Sequence, residues 1–119
     1  MTNPTPDAGA TWSGVRELHP AVLASRLHDG EPLVVIDVRE EWEWDLVHVT
    51  GAQHIPLGTI PRVAATLDPA AETVLVCHHG ARSLSAARFL ASQGFTRLWN
   101  LSGGIERYAL EGDTTLARY

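Results

Sequence analysis

The amino-acid sequence predicts an α/β domain in which helices cover both faces of a mostly parallel sheet. Short apolar segments alternate with helical segments along the chain, as expected for strands joined by helical crossovers. The segment Leu33–Ile36 is apolar at every position, which indicates a strand buried on both sides. A second such strand, Thr73–Val76, leads through a short loop into an alanine-rich helical segment.

The remaining elements follow from local signals. Pro20 suits the first position of a helix, Pro56 stops a strand, and Gly94 ends a helix. Ser83 is expected to cap the alanine-rich helix. In chain order, we predict strand Val15–Leu18, helix Ala21–His28, strand Leu33–Ile36, a short helix within 40–49, strand Ala52–Ile55, weak helix Thr59–Leu67, strand Thr73–Val76, helix Ser83–Gln93, strand Arg97–Leu101 and helix Ile105–Leu110.

Composition excludes several classes of function. The net charge is −5 and the nine cationic residues are dispersed, which argues against a nucleic-acid partner. All nine are Arg, so Schiff-base chemistry and a phosphate-binding Walker lysine are excluded. No apolar run is long enough to span a bilayer, and no membrane partner is expected.

The single cysteine forbids an internal disulfide and suits a reducing compartment, so a cytoplasmic location is expected. Residues 1–11 lack the charged and apolar regions of a secretory signal and are expected to form a loose tail. Residues 12–119 are then expected to form one domain.

The candidate nucleophile is Cys77, at the carboxyl end of the strand Thr73–Val76 and before a helix. The unpaired amides of a helix N-terminus favour negative charge and therefore the thiolate, which is the reactive form of cysteine. Gly80 lets the loop turn sharply, and Arg82 adds a permanent cation. A buried strand-end cysteine is often inert, but the glycine turn, the arginine and the helix start together favour catalysis.

His78 and His79 suggest a zinc site with Cys77, but three adjacent residues cannot readily surround one tetrahedral ion. Neither a metal nor a cofactor is therefore expected. The two histidines either line the loop and its entrance or are simple solvent-exposed residues, and both interpretations stay open.

The loop resembles the active-site loop of the rhodanese family, in particular of its single-domain members. The residues that carry this resemblance are Cys77, His78, His79, Gly80, Ala81, Arg82 and Ser83. Three further segments resemble family motifs in family order: Asp37-Val38-Arg39-Glu40 with Glu43-Trp44, His48–Pro56, and Asn100–Ile105. The sequence departs from the usual pattern at Val47 and His54, which lie outside the catalytic loop.

The resemblance implies a three-layer domain with a five-stranded parallel sheet. It also implies that Cys77 takes sulfane sulfur from thiosulfate or a persulfide donor and passes it to cyanide, a thiol or a sulfur-carrier protein. Amides of residues 78–82 would hold the bound sulfur, while Arg82 either supplies charge or is structural. Asp37 and Arg39 are expected to give mainly structural support.

The candidate partners follow from the same resemblance. The closing segment 103–108, with Arg118 and Tyr119, is similar to rhodanese domains fused to ubiquitin-activating-like adenylyltransferases, which pass sulfur to carrier-protein C-termini. A cysteine desulfurase is a candidate donor. Two alternatives stay open: a phosphatase or arsenate reductase of the same fold, whose loop has five residues between Cys and Arg instead of the four found here, and a non-catalytic interaction module.

Overall fold

Strands and helices alternate in the computed structural model, which describes residues 14–119. The predicted tail, residues 1–11, lies outside the described residues and stays a prediction. The elements are β1 (Val15–Leu18), α1 (Pro20–His28), β2 (Val34–Asp37), α2 (Glu41–Leu46), β3 (Gln53–His54), α3 (Ile60–Val63) between the 3-10 turns Leu57–Thr59 and Ala64–Thr66, β4 (Thr73–Val76), α4 (Ala81–Ser92), β5 (Leu98–Leu101) and α5 (Gly104–Glu111). The longest helix, α4, has 12 residues, and no helix in this part of the chain is long and apolar enough to cross a membrane.

The five strands form one parallel sheet in the order β1-β5-β4-β2-β3. β4 lies at the centre, and all four of its residues are buried. Its Leu75 packs in a cluster with residues of α3 and α4, whereas Val74 packs in a second cluster with residues of α1 and α5. The predicted three-layer α/β fold is thereby confirmed.

Most predicted elements agree with the structure within one or two residues, the exception being the single helix predicted over Thr59–Leu67. The start of α4 lies two residues before the predicted one, and this changes the residue that caps the helix. The helix begins at Ala81, its cap is Gly80, and Ser83 lies fully buried inside the first turn. The prediction that Ser83 is the cap is therefore wrong. Gly80 occupies the cap because its φ of +107° is a left-handed conformation that glycine adopts without steric cost.

The carboxyl ends of neighbouring parallel strands lie at the same edge of the sheet, which brings three chain segments together. Asp37 is the last residue of β2 and pairs with Val76 of β4 and with His54 of β3. Cys77 follows β4 directly, and Asn100 belongs to β5 on the other side. This edge carries the candidate site.

Candidate active site

Cys77 lies at the bottom of the loop between β4 and α4, and only 1% of its surface is exposed. The Gly80 amide donates a hydrogen bond to Cys77 Sγ over 3.0 Å. The hydroxyl of Ser83, in the first turn of α4, lies 3.2 Å from the same sulfur. A negatively charged sulfur would thus have a backbone donor, a hydroxyl donor and the start of a twelve-residue helix beside it.

A buried hydrogen-bond network that includes Ser83 and Asn100 supports the loop. Ser83 Oγ lies 2.5 Å from Asn100 Oδ1, so its one proton has two competing acceptors, this amide oxygen and the sulfur. Asn100 Nδ2 donates to the Gly80 carbonyl oxygen over 3.1 Å and to Glu17 Oε2 over 3.0 Å. Asn100 therefore fixes the backbone of the loop and the hydroxyl beneath it together.

The start of α5 fixes the loop from the opposite side. The amides of Ile105 and Glu106 donate to the carbonyl oxygens of Cys77 and His78 over 2.8 and 3.1 Å. Gly104 lies so close that a Cβ atom on it would be 2.3 Å from the His78 carbonyl oxygen. The loop backbone is thus held by the start of α5 and by Asn100 of β5 before any substrate binds.

Arg82 forms a bidentate ion pair with Glu43 of α2. Its Nη1 and Nη2 lie 2.6 and 2.9 Å from Oε1 and Oε2, and the Glu43 side chain is only 4% exposed. The Glu40 amide and the Tyr119 hydroxyl also donate to this carboxylate. The positive charge of Arg82 is therefore balanced by Glu43. This ion pair favours a structural role for Arg82 over that of supplying charge to the bound sulfur.

These contacts change the acidity of Glu43. Hydrogen bonds from Arg82 lower its pKa from the ordinary 4.5 to about 2, against the opposing effect of burial. The hydrogen bond with Glu43 correspondingly raises the pKa of Arg82. Both groups are charged throughout the physiological range.

Asp37 and Arg39 form a second ion pair, with both side chains fully buried. Arg39 Nε and Nη2 donate to the Asp37 carboxylate at 2.7–3.0 Å. Nη2 also donates to the Val47 carbonyl oxygen and Nη1 to the Tyr119 hydroxyl. His54, one of the two departures from the family pattern, contacts the Arg39 carbonyl oxygen through Nε2 at 2.7 Å. The pair thus joins several loops beside the site.

The two histidines of the loop have different surroundings. His79 is exposed, whereas the His78 ring is stacked between those of His79 and Tyr119, with centroids 3.9 and 4.0 Å away. His78 Nε2 lies 3.5 Å from Glu106 Oε2. Among residues 14–119, no group of three His, Cys, Asp or Glu side chains is arranged to hold a metal ion.

The loop, Asp37 and Arg39 are predicted from the sequence to lie at or near the site, and the structure places them there. Three further residues at the site are not predicted from the sequence: Asn100, Glu106 and Tyr119. Asn100 and Glu106 belong to or adjoin the closing motif and could have been noticed there. Tyr119 is 76 residues from Glu43 in sequence, and no local pattern connects the two.

Acid unfolding is expected to depend on Glu43. Because its folded pKa is depressed, its contribution is present above the unfolded pKa, near 4.5, and is lost as pH falls through about 2. The shift corresponds to about 3 kcal/mol at neutral pH, reduced by solvent screening at the partly exposed Arg82. Urea unfolding at neutral pH and at about pH 3 should show a smaller loss of stability for Glu43→Gln than for wild type.

The control for this experiment is Glu41→Gln, an exposed residue of the same helix, which should keep the wild-type pH dependence. Equal pH dependence in wild type and Glu43→Gln would contradict the assignment of acid sensitivity to Glu43.

Comparison with known proteins gives the same family by three routes. The model of the Rhodanese-like domain family matches residues 19–111. The chain is 37% identical to the putative sulfurtransferase YtwF of Bacillus subtilis, over 84% of this chain and 94% of that one. It is 41% identical to the thiosulfate sulfurtransferase GlpE of a Pseudomonas fluorescens strain, over 61% and 67%.

Some relatives are longer than this chain, which spans 50% of the putative sulfur carrier protein YrkF of Bacillus subtilis at 34% identity. Among solved structures, a rhodanese-like domain protein from Staphylococcus aureus superposes with a TM-score of 0.75 at 25% identity, covering 87% of this chain and 98% of that one. A rhodanese-related protein from Thermoplasma volcanium gives 0.72 at 27% identity, covering 82% and 93%. Because the family model matches most of the chain and YtwF is matched over nearly its whole length, this chain belongs to the rhodanese-like domain family.

Proposed function

We propose that the protein is a sulfurtransferase that carries sulfane sulfur as a persulfide on Cys77. The observation that carries the proposal is the loop itself. Four residues between Cys77 and Arg82 turn the Gly80 amide and the Ser83 hydroxyl toward a single sulfur at a helix N-terminus. The names of the relatives YtwF and GlpE, a putative and a thiosulfate sulfurtransferase, support it.

The reaction consists of two displacements at sulfur. In the first, the Cys77 thiolate attacks the outer sulfur of thiosulfate; a sulfur–sulfur bond forms on Cys77, and sulfite leaves with the electron pair of the broken bond. In the second, an acceptor such as cyanide attacks the outer sulfur of the persulfide anion. Thiocyanate leaves and the Cys77 thiolate is restored, so charge and electrons balance in both steps.

Each loop residue has a role in this proposal. Gly80 and Ser83 donate hydrogen bonds to the sulfur, and Ala81 begins the helix whose N-terminus faces it. Arg82 is a positioning residue, since its guanidinium holds Glu43 and not the sulfur. His78 and His79 form the entrance.

Asp37 and Arg39 support the site indirectly, because their buried ion pair holds the segment that leads from β2 into α2. The donor is thiosulfate or a persulfide such as that of a cysteine desulfurase, and the acceptor is cyanide, a thiol or a sulfur-carrier protein. A free Cys77 thiol suits a reducing compartment such as the cytoplasm.

Mass spectrometry of the intact protein tests the proposal. After treatment with thiosulfate, or with glutathione persulfide as a second donor, the wild-type chain should gain the mass of one sulfur atom. Cyanide should then remove that mass and release thiocyanate. Cys77→Ser should gain nothing, because a hydroxyl at this position is not ionised at neutral pH and forms no persulfide.

Two other results would replace the proposal. Failure of the wild type to gain sulfur from either donor would favour a non-catalytic interaction module. Hydrolysis of an aryl phosphate that is lost in Cys77→Ser would favour a phosphatase, for which a loop of this length offers less room around a tetrahedral oxyanion.

A further inference from the structure

The hydroxyl of Tyr119 joins the two ion pairs of the site. A guanidinium can only donate hydrogen bonds and an ionised carboxylate can only accept them. The hydroxyl therefore accepts from Arg39 Nη1 over 2.8 Å and donates to Glu43 Oε2 over 2.6 Å. The result is one continuous chain of charge-assisted hydrogen bonds, which runs through Asp37, Arg39, Tyr119, Glu43 and Arg82.

The ring of Tyr119 contacts the catalytic loop directly. It is stacked on the ring of His78, with centroids 4.0 Å apart and planes inclined by 11°. Trp42 of α2 meets the Tyr119 ring edge-on at 6.0 Å. Because His78 follows Cys77 in the chain, this stacking fixes the first side chain of the loop after the nucleophile.

The protonation state of Tyr119 is compatible with this geometry. Burial, together with its hydrogen bond to Glu43, raises the pKa of Tyr119 to about 12. The hydroxyl therefore keeps its proton at neutral pH, which its hydrogen bond to Glu43 requires.

We infer that Tyr119 is a positioning residue of the active site: its hydroxyl holds the Glu43–Arg82 pair and its ring holds His78, so that the loop around Cys77 keeps one geometry. The inference rests on the proposed function for its kinetic consequences. Tyr119 acts through Glu43 and His78 and is not a catalytic residue. Small displacements of groups around a nucleophile change the rate of the chemical step more than the binding of substrate.

Two substitutions separate the hydroxyl from the ring. Tyr119→Phe keeps the stacking on His78 but removes both hydrogen bonds of the hydroxyl. Because these bonds act on the loop only indirectly, through Glu43 and Arg82, the substitution should lower kcat for transfer from thiosulfate to cyanide roughly threefold to tenfold. Tyr119→Leu also removes the stacking and should lower kcat by about tenfold to a hundredfold. In both variants KM for thiosulfate should stay within about twofold of wild type.

The rate at which iodoacetamide alkylates Cys77 gives a second readout that needs no sulfur donor. It should be slower in Tyr119→Leu than in wild type, with Tyr119→Phe in between. The matched control is Tyr108→Phe, which removes the hydroxyl of a tyrosine in α5 that bonds to neither Glu43 nor Arg39, and it should keep wild-type kcat and alkylation. All variants are compared at a temperature at which circular dichroism shows them folded.

The outcomes distinguish the two proposals. If Tyr119→Leu is folded and keeps wild-type kcat and alkylation rate, Tyr119 only adds stability and the inference is overturned. If the wild type takes up no sulfur at all, the proposed function fails, and the alkylation rates alone decide whether Tyr119 positions Cys77.

Discussion

Replacement of Gly104 by Ala is expected to destabilise the protein by at least about 4 kcal/mol and to remove sulfur transfer. Gly104 has a φ of +64°, and an added Cβ would lie 2.3 Å from the carbonyl oxygen of His78 and 2.5 Å from that of Cys77. These atoms are backbone, so they can move only if the catalytic loop or the start of α5 moves. Urea unfolding and persulfide loading of Gly104→Ala measure the two effects.

The control for Gly104 is Gly94→Ala. Gly94 also has a positive φ, of +94°, but its added Cβ would meet no atom within 4 Å. It therefore carries only the strain of a left-handed conformation and should cost about 1–2 kcal/mol without loss of loading. Equal effects of the two substitutions would show that the close approach of Gly104 to the loop has no energetic importance.

Replacement of Asp37 by Ala is expected to cost about 3–5 kcal/mol, because it leaves the Arg39 guanidinium charged and without its counter-ion. Both side chains are fully buried, and Asp37 also accepts a hydrogen bond from the Arg39 amide over 3.0 Å. The measurement is the free energy of unfolding in urea. A second variant, Asp37→Ala combined with Arg39→Met, removes the buried charge and should recover part of the loss.

An exposed ion pair provides the comparison for Asp37. Glu111 pairs with Arg107 on the surface of α5, where both side chains are more than 40% exposed. Glu111→Ala should change stability by about 0.5 kcal/mol or less, since solvent and side-chain entropy cancel most of the attraction. If Asp37→Ala costs no more than this, the buried pair does not hold the segment between β2 and α2.

The layers of the fold could be predicted from sequence because strands buried on both faces are apolar at every position. The strand Thr73–Val76 was predicted at its exact bounds, since a run of apolar residues ends there at a cysteine and a glycine loop. The start of α4 could not be predicted in the same way. Both Gly80 and Ser83 are plausible caps, and only the backbone conformation decides between them.

The candidate site also has a part that can be predicted from sequence and a part that cannot. The loop around Cys77 is continuous in sequence, so its motif was visible. The contacts of Tyr119 with Arg39 and Glu43 bridge 80 and 76 residues and depend on how the chain after α5 returns to the site. The segment Thr59–Leu67 is predicted as one weak helix, but the structure has two 3-10 turns and a four-residue helix over residues 57–66, which simple helical spacing cannot resolve.

The hydroxyl of Ser83 can form a hydrogen bond with the Cys77 sulfur whether that sulfur is neutral or charged, so the backbone around it need not move during the reaction. When Cys77 is a neutral thiol, its S–H can donate to Ser83 Oγ, while Ser83 donates to Asn100 Oδ1. When the sulfur is an anion, rotation about the Cβ–Oγ bond of Ser83 redirects the proton to it, and Oγ itself stays in place. Asn100 meanwhile keeps its bonds to Gly80 and Glu17. The resting and charged forms of the nucleophile can therefore share one backbone, and the adjustment is confined to one hydroxyl group.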